Sequence, residues 1–221
     1  MRIVIAGAHG QIARRLARLL SARGDTVVGI IRNPAHESDL RLDGVDPAVL
    51  DLASASVEEL NRVVTGADAV VFAAGAGPGS GVDRKDTVDR GAAVLLAEAA
   101  ERAGVRRYLL VSSMGVDSVL GGAAPEGIDE VFLAYLRAKA AAERDVLARR
   151  GLDVTVLRPG ALTDDPGTGQ VTLARSVERG SVPRDDVAAV LVALLDISRD
   201  GVVAELVSGS TPIAEAVGAL G

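Results

Sequence analysis

The chain of 221 residues has no cysteine and no tryptophan, only two phenylalanines and two tyrosines, and only two histidines. Without cysteine there is no disulfide and no thiolate to serve as nucleophile or metal ligand. With His9 and His36 as the sole imidazoles, no histidine-built metal site is expected. Apolar runs are short: none approaches the roughly 20 residues that a helix needs to cross a bilayer. No charged-then-apolar leader opens the chain, which enters a strand pattern at once. The net charge is −6, with no basic block or stripe, which argues against nucleic acid as a direct partner. These absences lead to the expectation of a cytoplasmic protein that does not engage a membrane. Hydrophobic residues make up 48% and charged residues 24%, enough for one domain with a full core.

Lysine is scarce as well. Of the 24 basic residues all but Lys85 and Lys139 are arginine. In such a chain a retained lysine marks a place where a compact ammonium is wanted rather than a planar guanidinium.

What is present alternates. "RIVIAG" precedes a helical pattern from about Gln11 to Arg23, "DTVVGII" precedes a loop and "VDPAVLDL", and a short helix follows around Ser56 to Val64. "DAVVFAAG" leads to a helix from about Val88 to Ala103, "RRYLLVSS" to one from about Asp129 to Arg150, and "LDVTVLRPG", a helix starting near Arg184 and "GVVAELVS" complete the series. Buried β-branched runs between helices imply βαβ units and a parallel sheet covered on both faces. Right-handed crossovers make this a doubly wound α/β sheet that binds ligands beyond the carboxyl ends of its strands. Gly24, Gly104 and Gly151 stand where helix C-terminal caps are expected. Two small, polar loops, Gly75 to Asp86 and Thr163 to Gln170, follow strands on the ligand side, where loops carry function or simply move.

Gly7 and Gly10 in "AGAHGQIA" sit between the first strand and the first helix. Gly7 permits the tight turn, Gly10 lets the backbone approach a pyrophosphate, and the phosphates then face free N–H groups at the helix start. Ala13 stands where a third glycine is usual, one methyl larger. The alternative is a purely structural glycine turn. About 20 residues on, where an NAD-preferring protein carries Asp or Glu, the chain has Arg32 and Asn33. A guanidinium suits a 2′-phosphate and stacks on adenine, which favours NADP(H) over NAD(H). The alternative is a solvent-facing arginine. His9 offers a further donor near the same phosphate or is an exposed loop residue.

Tyr135 and Lys139 form Y-x-x-x-K on one face of a predicted helix. A tyrosine titrating near pH 10 is a poor acid–base group at neutral pH, and a nearby ammonium brings it into range. The lysine can also hold ribose hydroxyls. The alternative is an amphipathic helix with a half-buried tyrosine. Ser112 and Ser113 end a strand where a hydroxyl can meet the reacting oxygen, although paired serines also simply terminate strands.

Together with "LDLAS", "VVFAAGAG", "YLRAK", "LRPGALTDDPGTG" and "VPRDDVAAVL", these features resemble the short-chain dehydrogenase/reductase superfamily. The likeness is to its atypical, extended-like branch of small NAD(P)H-binding proteins, related to NmrA and to the epimerase/dehydratases. The resemblance covers nearly the whole chain and implies one NAD(P)-binding Rossmann domain over residues 1–221, with a very small substrate-side region around 160–183 and 205–221. It implies that Gly7, His9, Gly10, Gln11 and Ile12 line the pyrophosphate and Arg32 the 2′-phosphate. Asp51 and Leu52 flank adenine, Ala73, Ala74 and Gly75 pass along the ribose, and Pro159 approaches the nicotinamide. Tyr135 and Lys139 match the catalytic pair. The third member is Ser113, with Ser112 as the second choice and Met114 in the adjacent register.

Three functions fit these residues. The first is an NADP(H)-dependent oxidoreductase for a small carbonyl or alcohol. The second is a non-enzymatic NADP(H)-binding sensor, and the third an epimerase or dehydratase that recycles its cofactor. The short stretch after "LRPG" disfavours the last. The partner is a small substrate or none, and the chain is a monomer or a homodimer.

Overall fold

The computed structural model describes residues 1–75, 77, 86–197 and 199–220, and in it the apolar runs are strands and the helix-period segments helices. In chain order they are β1 (Arg2–Ala6), α1 (Gln11–Arg23), β2 (Thr26–Ile31), α2 (Glu37–Leu42), β3 (Val45–Val49), α3 (Val57–Val64), β4 (Ala69–Phe72), α4 (Ala92–Ala103) and β5 (Arg107–Val111). There follow α5 (Glu130–Leu147), β6 (Asp153–Pro159), β7 (Ala161–Thr163), β8 (Gln170–Ala174), β9 (Ser181–Pro183), α6 (Arg184–Leu195), β10 (Val202–Ser208), β11 (Thr211–Pro212) and α7 (Ile213–Gly218). Most of the expected loop Gly75 to Asp86, with Lys85, lies outside the described residues.

The described residues form a main sheet of nine strands in the order β3-β2-β1-β4-β5-β6-β10-β8-β11. Every pairing from β3 to β10 is parallel, and β8 runs antiparallel to both β10 and β11. The strand order reverses between β1 and β4, which opens a crevice at their carboxyl ends. β7 and β9 form a separate parallel pair. This is the mostly parallel, Rossmann-like α/β architecture expected from the alternating pattern.

Alternate residues of the central strands supply two cores. On one face Ile3, Ile5, Leu109 and Leu157 pack with Leu16 and Leu20 of α1 and Val187, Leu191 and Leu194 of α6. On the other, Val4, Val70, Phe72 and Tyr108 pack with Leu60 of α3, Leu96 and Ala100 of α4, and Val146 of α5. Each fully buried Leu, Ile or Val contributes about 1.5–3 kcal/mol relative to exposure. Among the described residues no helix is long and apolar enough to cross a membrane.

The local chemistry departs from expectation at three places. Gly24 and Gly104 do cap α1 and α4 in the left-handed region, but α5 ends earlier, at Leu147, with Ala148 still right-handed. Gly151 lies against the Glu101 side chain instead: a Cβ there would stand 2.7 Å from Glu101 Oε1, which would have to move aside. The helix expected from Val88 begins as a π-helical turn, Asp86–Gly91, which turns Val88 and Asp89 inward before α4 starts. The loop Thr163 to Gln170 is tied down: buried Asp186, at the start of α6, accepts hydrogen bonds from the amides of Thr168 at 2.9 Å and Gly169 at 2.8 Å. "RDDVA" is thus a fastening for the preceding loop.

Both edges of the sheet carry a proline. The Leu50 amide donates to Ile31 O, so alternate amides of β3 face β2 and Pro47 faces outward. Likewise Ile213 N donates to Gly169 O, which leaves Pro212 outward on β11.

Asp43, in the turn after α2, accepts hydrogen bonds from Arg14 Nε at 2.6 Å and Arg18 Nε at 2.7 Å and so anchors α1. Burial alone would raise its carboxyl, but the bonds and charge of Arg14 and Arg18 outweigh that and hold it below the ordinary carboxylate range. A depressed folded-state value stabilises above the unfolded one and is lost as pH falls through it. Asp43→Asn is expected to cost about 1 kcal/mol at pH 7, and urea unfolding should show the deficit shrinking as pH falls below the ordinary aspartate value of about 3.9.

Candidate functional site

The site begins with a missing side chain. Gly7 has φ +77°, and a Cβ on it would stand 2.5 Å from Ala74 Cα, so only glycine lets the loop after β1 lie against the chain leaving β4. Gly10 opens α1 with no side-chain cap and no acid in the first turn. The amides of Gln11 and Ile12 therefore have no intrahelical acceptor and form an anion-seeking end. Ala13 is buried within the core, so its methyl packs where the usual third glycine would only leave space.

Above this turn runs a groove of ≈ 320 Å³. Ten of the residues expected to bind cofactor line it: Gly7, His9, Gly10, Arg32, Asn33, Asp51, Leu52, Ala73, Ala74 and Gly75. Gln11 and Ile12 lie on the first turn of α1, outside the lining. Ile30, Ile31, His36, Leu50, Ala53 and Val88 complete the wall without having been singled out. Leu50 and the strand ends supply apolar surface. Asn33 is occupied in capping the turn at Pro34–His36, where its side chain accepts from the Ala35 amide at 3.0 Å. The Arg32 guanidinium has no partner among the described residues, whereas Arg14, Arg15, Arg18 and Arg23 of α1 are all paired with carboxylates. An extended groove with a bare cation at one end and free amides along its floor fits a dinucleotide, whose phosphates need donors and whose base needs apolar walls.

The groove ends at Gly75 and Val88, and the tyrosine–lysine pair lies just beyond. Lys139 is buried, with Nζ 3.2 Å from Asp89 Oδ1 in an ion pair and donating to the Val111 carbonyl at 3.2 Å. Its ammonium stands 5.8 Å from the centre of the Tyr135 ring and 5.7 Å from that of Phe72. Asp89 comes from the π-helical turn, and its Oδ1 would lie 3.2 Å from a Cβ on Gly75, so this ion pair sits against the groove. Tyr135 is half-buried beside Val116, Val119 and Leu136, and Phe132, 46% exposed, stacks on it with centroids 5.8 Å apart.

The two serines have different surroundings. Ser112 is buried and donates its hydroxyl to Glu143 Oε1. Glu143 in turn accepts from Arg158 Nη2 at 2.6 Å and Nε at 3.0 Å, and Arg158 Nη1 reaches Asp117 at 2.9 Å. Burial alone would lower the Arg158 guanidinium, but Glu143 and then Asp117 hold it well above its ordinary value. Ser113 is half-buried and bonds only the neighbouring Met114 carbonyl, at 3.1 Å. Pro159 is buried at the end of β6, where its carbonyl accepts from the Met114 amide at 3.0 Å.

Sequence reasoning did not single out Asp89, Glu143, Arg158 and His36. Glu143 had a readable sign, since it follows Lys139 by four and so shares its helix face. Asp89 fell inside an expected ordinary helix, and nothing local distinguishes His36. No group of three metal-ligating side chains occurs among the described residues.

A family model described as NAD(P)H-binding matches residues 7–198. A Bacillus subtilis protein, YhfK, named as an uncharacterized sugar epimerase, is 36% identical over 98% of this chain and 99% of its own length. A solved structure from Bacillus halodurans, provisionally classed as an NAD-dependent epimerase/dehydratase, superposes with TM-score 0.87 at 34% identity, covering 99% of each chain. The Escherichia coli O157:H7 anaerobillin reductase ChuY superposes with TM-score 0.79 at 26% identity, over 94% of this chain and 97% of that one.

The buried Glu143–Arg158 pair allows a direct test. Glu143→Ala strands a buried guanidinium and is expected to cost about 3–5 kcal/mol. The double variant Glu143→Leu with Arg158→Met should recover most of that loss in urea unfolding, because an apolar pair of similar volume carries no desolvation cost.

Proposed function

This chain belongs to the NAD(P)H-binding family, and from that premise we propose that it is an NADP(H)-dependent oxidoreductase acting on a small carbonyl or alcohol. The reading is carried by Tyr135 and Lys139 on one face of α5, with the Lys139–Asp89 pair abutting the end of the dinucleotide groove. The bound nicotinamide would supply or accept hydride. In the reduction, Tyr135 Oη gives its proton to the carbonyl oxygen, and the Lys139 ammonium steadies the charge left on the ring oxygen. Lys139 would also hold the nicotinamide ribose hydroxyls. Ser113 is the hydroxyl that meets the substrate oxygen, because the Ser112 proton is committed to Glu143. Ser112 is then a positioning residue that holds the strand end. Phe132 gives the substrate an apolar wall beside Tyr135 and favours molecules with an apolar or aromatic face.

The preference for NADP(H) rests on Arg32, a guanidinium on the groove wall at the end of β2 with no partner among the described residues. A planar fork of donors with no carboxylate of its own suits a phosphomonoester, and an acidic residue there would repel it.

One observation favours a second reading, a non-enzymatic NADP(H) sensor. Asp89 neutralises Lys139 and so weakens the field it exerts on Tyr135. Recycling epimerase chemistry, which the names of the Bacillus relatives suggest, is less favoured. Among the described residues those after Pro159 form chiefly β8, α6, β10 and α7, and none of them lines the groove.

Two variants test this. Arg32→Glu is expected to weaken NADPH binding about 10- to 100-fold and to leave NADH binding nearly unchanged, read by nicotinamide fluorescence. Tyr135→Phe should lower kcat on a panel of aldehydes and ketones by at least about 100-fold, with NADPH affinity intact. Undiminished turnover in that variant removes Tyr135 from the mechanism. A complete lack of turnover by the native chain, with tight NADPH binding, supports the sensor.

A further inference from the structure

Both histidines of the chain stand on the groove wall, His9 carried by the loop after β1 and His36 by the turn after β2. Their rings stack face to face, with centroids 3.6 Å apart and planes within 10°. The pair is asymmetric. His9 Nε2 shares a hydrogen bond with Asp39 Oδ2 at 2.9 Å, which fixes that ring. The His36 imidazole has no hydrogen-bond partner among the described residues and lies on the same wall as the unpaired Arg32.

An imidazole pinned by a stack, with both nitrogens unused and a free guanidinium on the same wall, is an incomplete anion site. We propose that His36, seated on His9, is a second reader of the 2′-phosphate of NADP(H), and that it makes the discrimination between NADP(H) and NAD(H) proton-linked. The inference rests on the NADP(H) reading of Arg32 and extends it.

The sign follows from two titrations. An ordinary imidazole gains its proton near pH 6.5, whereas a phosphomonoester keeps its second charge down to about pH 6. Above about pH 6 the phosphate stays dianionic, so any proton that an imidazole on this wall gains adds attraction. Below about pH 6 the phosphate itself protonates and the gain stops. NAD(H), with a hydroxyl in place of the phosphate, offers no such partner. Of the other charges facing the pair, Asp39 is held below the ordinary carboxylate range, first by its bond to His9 and then by Arg14, 3.8 Å away. Asp43 is bound to Arg14 at 2.6 Å, Glu37 is bound to Arg41 at 2.7 Å, and Asp51 also lines the groove. Carboxylates and guanidiniums keep their charge between pH 6 and 8, so a change in that window belongs to the imidazoles.

The experiment titrates NADPH and NADH separately into the full chain from pH 6.0 to 8.5 at constant ionic strength, read by nicotinamide fluorescence. The native NADH-to-NADPH ratio of Kd values is expected to rise about ten-fold from pH 8.5 to 6.5, with the NADH Kd flat. His36→Gln keeps a polar side chain that cannot take up a proton; it should remove the pH dependence of the ratio and leave the melting temperature unchanged. His9→Gln should retain the slope. A slope that persists in His36→Gln, or that disappears in His9→Gln alone, overturns the assignment. A native preference for NADPH that is constant with pH overturns the role of His36 and leaves that of Arg32 standing. No preference at any pH overturns both.

Discussion

The contact between Gly7 and Ala74 is the constraint on which the site depends. The loops leaving β1 and β4 meet there at a distance that no side chain could share, and that contact sets the floor of the groove. Once the floor is set, the remaining walls follow from strand order. β2 lies beside β1 and delivers Arg32 and His36 at one end. β4 continues toward the π-helical turn and delivers Val88 and Asp89 at the other. The sheet reversal makes a crevice in any doubly wound fold; the glycine makes this one narrow enough for backbone amides to serve as its base.

The two ends of the groove handle charge in opposite ways. At the β2 end donors are left bare: among the described residues Arg32 has no carboxylate and His36 no hydrogen-bond partner. At the far end charge is buried and cancelled, Lys139 by Asp89 and Arg158 by Glu143 and Asp117. Buried pairs of this kind contribute little net stability, because desolvation offsets much of their attraction. They do fix geometry. Lys139 is held between α5, the π-helical turn and the end of β5, so Tyr135, one helical turn away, keeps its place beside the groove. The bare end is suited to recognition and the cancelled end to positioning.

Much of this was legible in the chain. The alternation of buried runs and helices implied the parallel sheet, because strands covered on both faces must be apolar throughout. "AGAHGQIA", Arg32 and the stretch Ala73 to Gly75 fell on one groove because each follows a strand at the sheet's carboxyl edge. What escaped reading was of a different kind. The stack of His9 on His36 joins loops that are distant in sequence, and no periodicity records it. The Asp89–Lys139 pair depends on a π-helical turn, which shifts register by one residue within what reads as an ordinary helix. The Asp186 fastening shows the same limit: a polar loop rich in Gly, Asp and Thr looks mobile or functional until the buried carboxylate that holds its amides is located.

The prolines at the two margins of the sheet, Pro47 on β3 and Pro212 on β11, have a bearing on how copies of this molecule can meet. Each interrupts the outward row of N–H groups that an incoming strand would need. Each margin is therefore a poorer template for an intermolecular ladder than an unbroken row of N–H groups would be. The sheet thus carries at both margins a residue that disfavours edge-to-edge pairing between folded copies.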